Sequence, residues 1–173
     1  MQKIKINFIK IRLRLLLPIL LTVLLAGSGS LFARSHGQQW STTSPEINLG
    51  HIFEGAINRR GKATGFHSRP QGKDPKHARL VKILSPANRS GVYTARVEIY
   101  DPAARQWKEK FSTLFPDNLS REQVVQLILK AWKNRRPGKG NKWEGSSGKG
   151  FIIQGYLNKR GNINTAYPVY QKP

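Results

Sequence analysis

The sequence predicts an α+β domain built on antiparallel sheets, on three observations. Two pairs of strand-like runs are each joined by turn chemistry: 93–100 to 106–115 through Asp101-Pro102-Ala103-Ala104, and 151–158 to 162–170 through Lys159-Arg160-Gly161. A single long amphipathic helical pattern lies between these two hairpins, and a short N-terminal helical segment opens the domain near His51. Hairpins with helices set apart from them describe α+β, not the alternating βαβ of a parallel sheet.

The first residues read as a leader. Lys3, Lys5, Lys10, Arg12 and Arg14 stand without an acid, the run 15–27 is apolar except for Pro18 and Thr22, and small residues follow to Ser30. That order fits a signal peptide over residues 1–34. The apolar run falls short of the roughly 20 residues of a membrane span. An uncleaved N-terminal membrane anchor is the alternative, with Phe8, Ile9 and Ile11 extending the run. Either reading places the domain outside the cytoplasm, secreted, periplasmic or held at the membrane by this segment alone. Residues 35–48, polar but for Trp40 and Ile47, read as a linker, and 49–173 as the domain.

The domain opens with two of the chain's four histidines. His51 lies in a short helical pattern carried by Leu49, Ile52, Phe53 and Ala56, and His67 follows a turn at Gly65 and begins an extended segment. Imidazole both takes and gives a proton near neutrality, so two of them across one cleft supply a base and an acid in one step. The polar stretch 68–77 reads as a basic loop with His77 exposed, and 80–84 as a strand. In 106–115, Trp107, Glu109, Phe111 and Thr113 alternate with Lys108, Lys110 and Ser112, so Lys108 and Ser112 share a face.

Ser120 with Gln123 is a capping-box start, and Val124, Val125, Ile128, Ala131 and Trp132 recur at helical spacing until Arg135-Arg136-Pro137-Gly138 ends the helix. The stretch 137–150 lacks the G-x-x-x-x-G-K-[ST] spacing of a phosphate loop and reads as a mobile basic loop touching a phosphate backbone. The closing hairpin carries Thr165-Ala166-Tyr167-Pro168.

Composition narrows the partners. Thirty Lys and Arg stand against nine Asp and Glu, and without residues 1–34 the balance is still 24 to nine. Such a charge calls for a polyanion, and the Trp and Tyr interleaved with the basic residues favour nucleic acid over a membrane surface. The chain has no cysteine, which removes disulfides, thiolate catalysis and cysteine zinc sites.

In order along the chain, His51, His67 after Gly65, Lys108 with Ser112, the F-S-T-L-F-P run at 111–116, the long helix and Thr165-x-Tyr167-Pro168 resemble the EndoU endoribonucleases, specifically their bacterial branch. The resemblance covers about residues 49–170. It implies an EndoU-like nuclease domain cleaving RNA at uridylates by transphosphorylation, leaving 2',3'-cyclic phosphate and 5'-OH ends. By that analogy His67 is the base, His51 the acid and Lys108 the electrostatic stabiliser, with the two histidine roles open to exchange. The analogy adds a contribution from the Gly65 amide, base recognition by Ser112 and Tyr167, and orientation of the site by Thr165. Lys110 and Lys82 rival Lys108, and Thr113 rivals Ser112.

No cofactor and no metal site is expected, since the sequence clusters no carboxylates or histidines for one. The partners expected are an RNA substrate and, as for bacterial relatives deployed as toxins, an immunity or inhibitor protein. The competing reading is a non-catalytic basic module that binds extracellular nucleic acid or anionic polymers.

Overall fold

The computed structural model describes residues 39–172. The expected leader, residues 1–34, and His36 lie outside the described residues. Among those residues no helix is long and apolar enough to cross a membrane.

The first elements are short and held by side chains. Helix α1, Leu49–Phe53, is capped by Asn48, whose Oδ1 accepts from the His51 amide at 3.0 Å, satisfying a donor that has no partner in the first turn. Residues 39–48, part of the expected linker, are folded: Trp40 bridges Asn48, Ile47 bridges Ile163, and Ile47 is fully buried. Their physical signal was Asn48 three residues before His51, a helix cap and not a spacer. Ala56, expected on the helix, begins β1 (Ala56–Ile57), which pairs with β2 (Ala63–Thr64).

The first hairpin forms as expected and gains a third strand. Strands β3 (Ala78–Ser85), β4 (Tyr93–Asp101) and β5 (Gln106–Leu114) make an antiparallel sheet in that order. Its inner face buries Tyr93, Ala95, Val97, Ile99 and Leu114 against Phe66 and Ala78. The expected basic loop before β3 is anchored by one arginine. Arg69 donates to Asp74 at 2.6 Å, Asp117 at 2.7 Å and the Gly72 carbonyl at 2.7 Å, while the Tyr93 hydroxyl donates to Asp117 at 2.6 Å. His77, in the same segment, is exposed as expected.

Helix α2, Arg121–Lys133, has the full capping box at Ser120 and Gln123. It buries Val124, Leu127, Ile128 and Ala131, and burial of each large aliphatic side chain stabilises by roughly 1.5–3 kcal/mol. Its partner is an antiparallel sheet of β6 (Arg136–Pro137), β7 (Lys142–Ser146), β8 (Ile152–Leu157) and β9 (Ile163–Pro168), in that order.

Here the expectation for 137–150 is corrected: much of the stretch is strand. Trp143 of β7 is 2 % exposed and packs edge-on against Trp132 at 5.3 Å. At Gly145 a Cβ would overlap the Ala131 carbonyl oxygen, so glycine here lets helix and strand approach closely.

Candidate functional site

The site is assembled around the three-residue segment Gly65-Phe66-His67, which ties α1 to β5. The Phe66 amide donates to the His51 carbonyl at 2.8 Å and the His67 amide to that of Ile52 at 2.7 Å. On the far side the Phe115 amide donates to the His67 carbonyl at 2.8 Å.

The segment requires left-handed backbone. Gly65 has φ +75 and a Cβ there would overlap the His51 carbonyl oxygen; Phe66 has φ +56, a conformation that costs a non-glycine residue about 1 kcal/mol or more. Burial of the whole Phe66 ring in the first-sheet core offsets that cost. The turn sends Phe66 inward and leaves His67 facing its neighbours.

Those neighbours include most of the expected residues. The rings of His51 and His67 lie 6.1 Å apart, and the Tyr167 ring lies 5.3 Å from His67 on β9. His67 Nδ1 is 3.2 Å from the Thr113 carbonyl and 3.1 Å from Ser112 Oγ, while Ser112 Oγ lies 2.7 Å from the Phe66 carbonyl. A carbonyl only accepts, so its partnership assigns the proton to Nδ1. Ser112 then donates to Phe66, and Nε2 is left as the basic nitrogen.

At β5 the structure places Lys110, the expected rival of Lys108, nearer the histidines, and it buries Ser112. The lysine that enters the site is Lys110: its Nζ donates to the Gly65 carbonyl at 2.8 Å. Lys108 lies on the same face, two residues or about 7 Å along the strand, where it stands opposite Ile99. Ser112 is 1 % exposed, and its hydroxyl lies within hydrogen-bond distance of the Phe66 carbonyl and His67 Nδ1. Gly65 itself is buried. Thr165, on β9 with Tyr167, has a buried Oγ1 without a hydrogen-bond partner.

The electrostatics follow from enclosure next to a cation. Burial, and then the positive charge of Lys110, lower the His51 pKa to about 4. Burial, Lys110 and His51 hold His67 well below 6.5, with the Thr113 carbonyl opposing them. Burial lowers Lys110 to about 8, leaving it a cation at neutral pH. Tyr167 is raised by burial and by Tyr156. Neutral imidazoles beside an ammonium group suit proton transfer close to developing negative charge.

A hollow of about 290 Å³ lined by Gln39, Asn48, Gly50, His51, Glu54, Gly55 and Ala56 opens beside the first histidine. A larger one, about 470 Å³ between Trp40, Glu46 and the turn at Lys159 and Arg160, contains none of the site residues. Among the described residues no group of three or more His, Asp or Glu is placed to hold a metal ion.

Two supporting residues escaped the sequence reading. Asn48 fixes the His51 backbone, and its signal was a helix cap three residues ahead of the histidine. Gln154 accepts from the Tyr167 hydroxyl at 3.4 Å; nothing in the sequence marks it, because the contact is across strands.

The profile of the bacterial EndoU nuclease family matches residues 45–170. A protein of Bacillus cereus named as a toxin is 36 % identical over 124 residues, which cover 69 % of this chain and 22 % of that protein. The chain therefore spans about a fifth of its relative's length. No solved structure matches the chain. With the family match running across all three sheets and every residue of the site, the chain belongs to the bacterial EndoU nucleases.

Proposed function

We propose that the chain is an endoribonuclease that cleaves RNA by transphosphorylation. His67 Nε2 takes the proton of a ribose 2'-hydroxyl, and the freed oxygen bonds to the adjacent phosphorus. The bond to the 5'-oxygen breaks as His51 delivers a proton to it, and the ends are a 2',3'-cyclic phosphate and a 5'-hydroxyl. Lys110 faces the nonbridging oxygens, whose negative charge grows in the phosphorane.

A bound phosphodiester supplies the negative charge that offsets Lys110 and raises His51 toward the range of a useful acid. Because side chains provide both proton transfers and the countercharge, the reading requires no metal. The observation that carries it is the His67 hydrogen bonding, which leaves a neutral imidazole with a bare Nε2, 6.1 Å from a second ring and next to a buried lysine.

Tyr167, its ring 5.3 Å from that of His67, is the residue assigned to hold the base or ribose, with uridylate preferred as the family resemblance implies. The toxin named in Bacillus cereus supports the same biological role here, exercised beyond the cytoplasm after export by the leader and restrained in the producer by an immunity protein.

The test is incubation of the chain with a uridine-containing oligoribonucleotide in EDTA. Cyclic-phosphate ends that vanish in His67→Ala support the reading; RNA left intact at every pH between 5 and 9 leaves only a basic nucleic-acid binder.

A further inference from the structure

One face of the four-stranded sheet packs on α2 and the other is open. Residues directly opposite in antiparallel strands share a face, so Tyr167, Gln154, Glu144 and Arg136 form one row across β9, β8, β7 and β6, and Thr165, Tyr156 and Lys142 form a second.

The first row begins at the Tyr167 ring, 5.3 Å from His67. The Tyr167 hydroxyl donates to Gln154 and the Gln154 amide donates to Glu144 Oε2 at 3.0 Å, so the one acid in these rows is held in a hydrogen-bonded chain. Tyr156 is 37 % exposed, Lys142 half-exposed and Arg136 exposed, which leaves an aromatic ring and two cations along the path away from the histidines. Next to the ring, on the same row, Thr165 Oγ1 is buried without a partner.

We propose that this face is a subsite for single-stranded RNA beyond the scissile linkage, with Tyr156 stacking on a base and Lys142 and Arg136 receiving phosphates. The proposal rests on the nuclease reading for the identity of its ligand. A ring between backbone-tracking cations binds bases of any sequence, because every base presents a π-face. Continuity with Tyr167 makes the face an extension of the cleavage site. The enzyme is thereby suited to RNA of several nucleotides more than to a dinucleotide.

Fluorescence anisotropy with fully 2'-O-methylated oligouridylates of two and eight residues tests the subsite with a ligand that cannot be cut. The native chain is expected to bind the octamer more tightly than the dimer. Tyr156→Ala should weaken octamer binding about ten-fold and Tyr156→Phe should restore it. Lys142→Ala should flatten the slope of log affinity against log salt by roughly 0.7.

Octamer affinity unchanged in Tyr156→Ala overturns the proposal, as does a loss in Tyr156→Phe equal to that in Tyr156→Ala. The binding result is independent of cleavage. Binding as expected by a chain that cuts no RNA removes the nuclease reading and leaves the surface, whereas cleavage without a Tyr156 effect does the reverse.

Discussion

On the three-stranded sheet the site residues are enclosed and their hydrogen bonds taken: Ser112 is 1 % exposed, Lys110 is bonded to the Gly65 carbonyl, and the strained 65–67 segment lies over both. On the four-stranded sheet Tyr167 and Tyr156 stand on an open face with one ring against His67. The contrast separates two tasks. Proton transfer needs rigid partners and low dielectric, since a displacement of about 1 Å can cost on the order of 100-fold. Holding a flexible polymer needs accessible rings and cations.

If the closed region carries the chemistry, its substitutions should dominate. His67→Ala and His51→Ala should each lower kcat/KM about 10²–10⁴-fold while leaving binding of an uncleavable oligonucleotide nearly intact. Equal losses of binding and turnover would erase the division.

Next in size is the lysine pair. Lys110→Met is expected to cost about 100-fold or more in kcat, the scale of removing one preorganised stabiliser, and Lys108→Met much less. With the ammonium required, activity should fall as pH rises through about 8, and Lys110→Arg should carry that alkaline limb to higher pH. Comparable losses for the two lysines would return the role to Lys108.

Smaller again is Ser112→Ala. It should reduce kcat by about ten-fold, the worth of roughly one net hydrogen bond, without altering preference among bases. A changed base preference would restore Ser112 as a reader of the substrate.

The smallest effect is on stability. Both histidines are more weakly basic in the folded chain than their ordinary 6.5, so below that pH the unfolded chain binds protons the folded one refuses. Stability should therefore decline as pH falls from about 6.5 toward 4, a decline read by denaturant unfolding and reduced in a His51→Gln, His67→Gln chain.

How much of this was legible in the sequence depends on the range of each signal. The capping box at Ser120 and the turn chemistry at 101–104 are local, and the helix and hairpin they announce are present. Strand β7 was not legible, because K-W-E-G-S offers one large apolar side chain and a glycine whose purpose is the approach of α2.

The same limit acted at the site. Alternation gave the face that Lys108, Lys110 and Ser112 share, but where the 65–67 segment crosses that face is set by contacts more than 40 residues apart in the chain. That crossing selects Lys110 and covers Ser112. His51, His67 and Tyr167 were legible as a set only through order along the chain, since no spacing joins residues brought from a helix, a turn and a strand.

The most direct test of a two-histidine transphosphorylation is a pair of oligonucleotides differing in one atom. A single cleavable uridine in an otherwise 2'-O-methylated strand should be cut in EDTA to a fragment whose mass is that of a 2',3'-cyclic phosphate. The same strand with 2'-deoxyuridine at that position should bind and stay whole. Cleavage of the deoxy strand, or a fragment carrying a 5'-phosphate, would contradict the 2'-hydroxyl as nucleophile and with it the roles given to His67, His51 and Lys110.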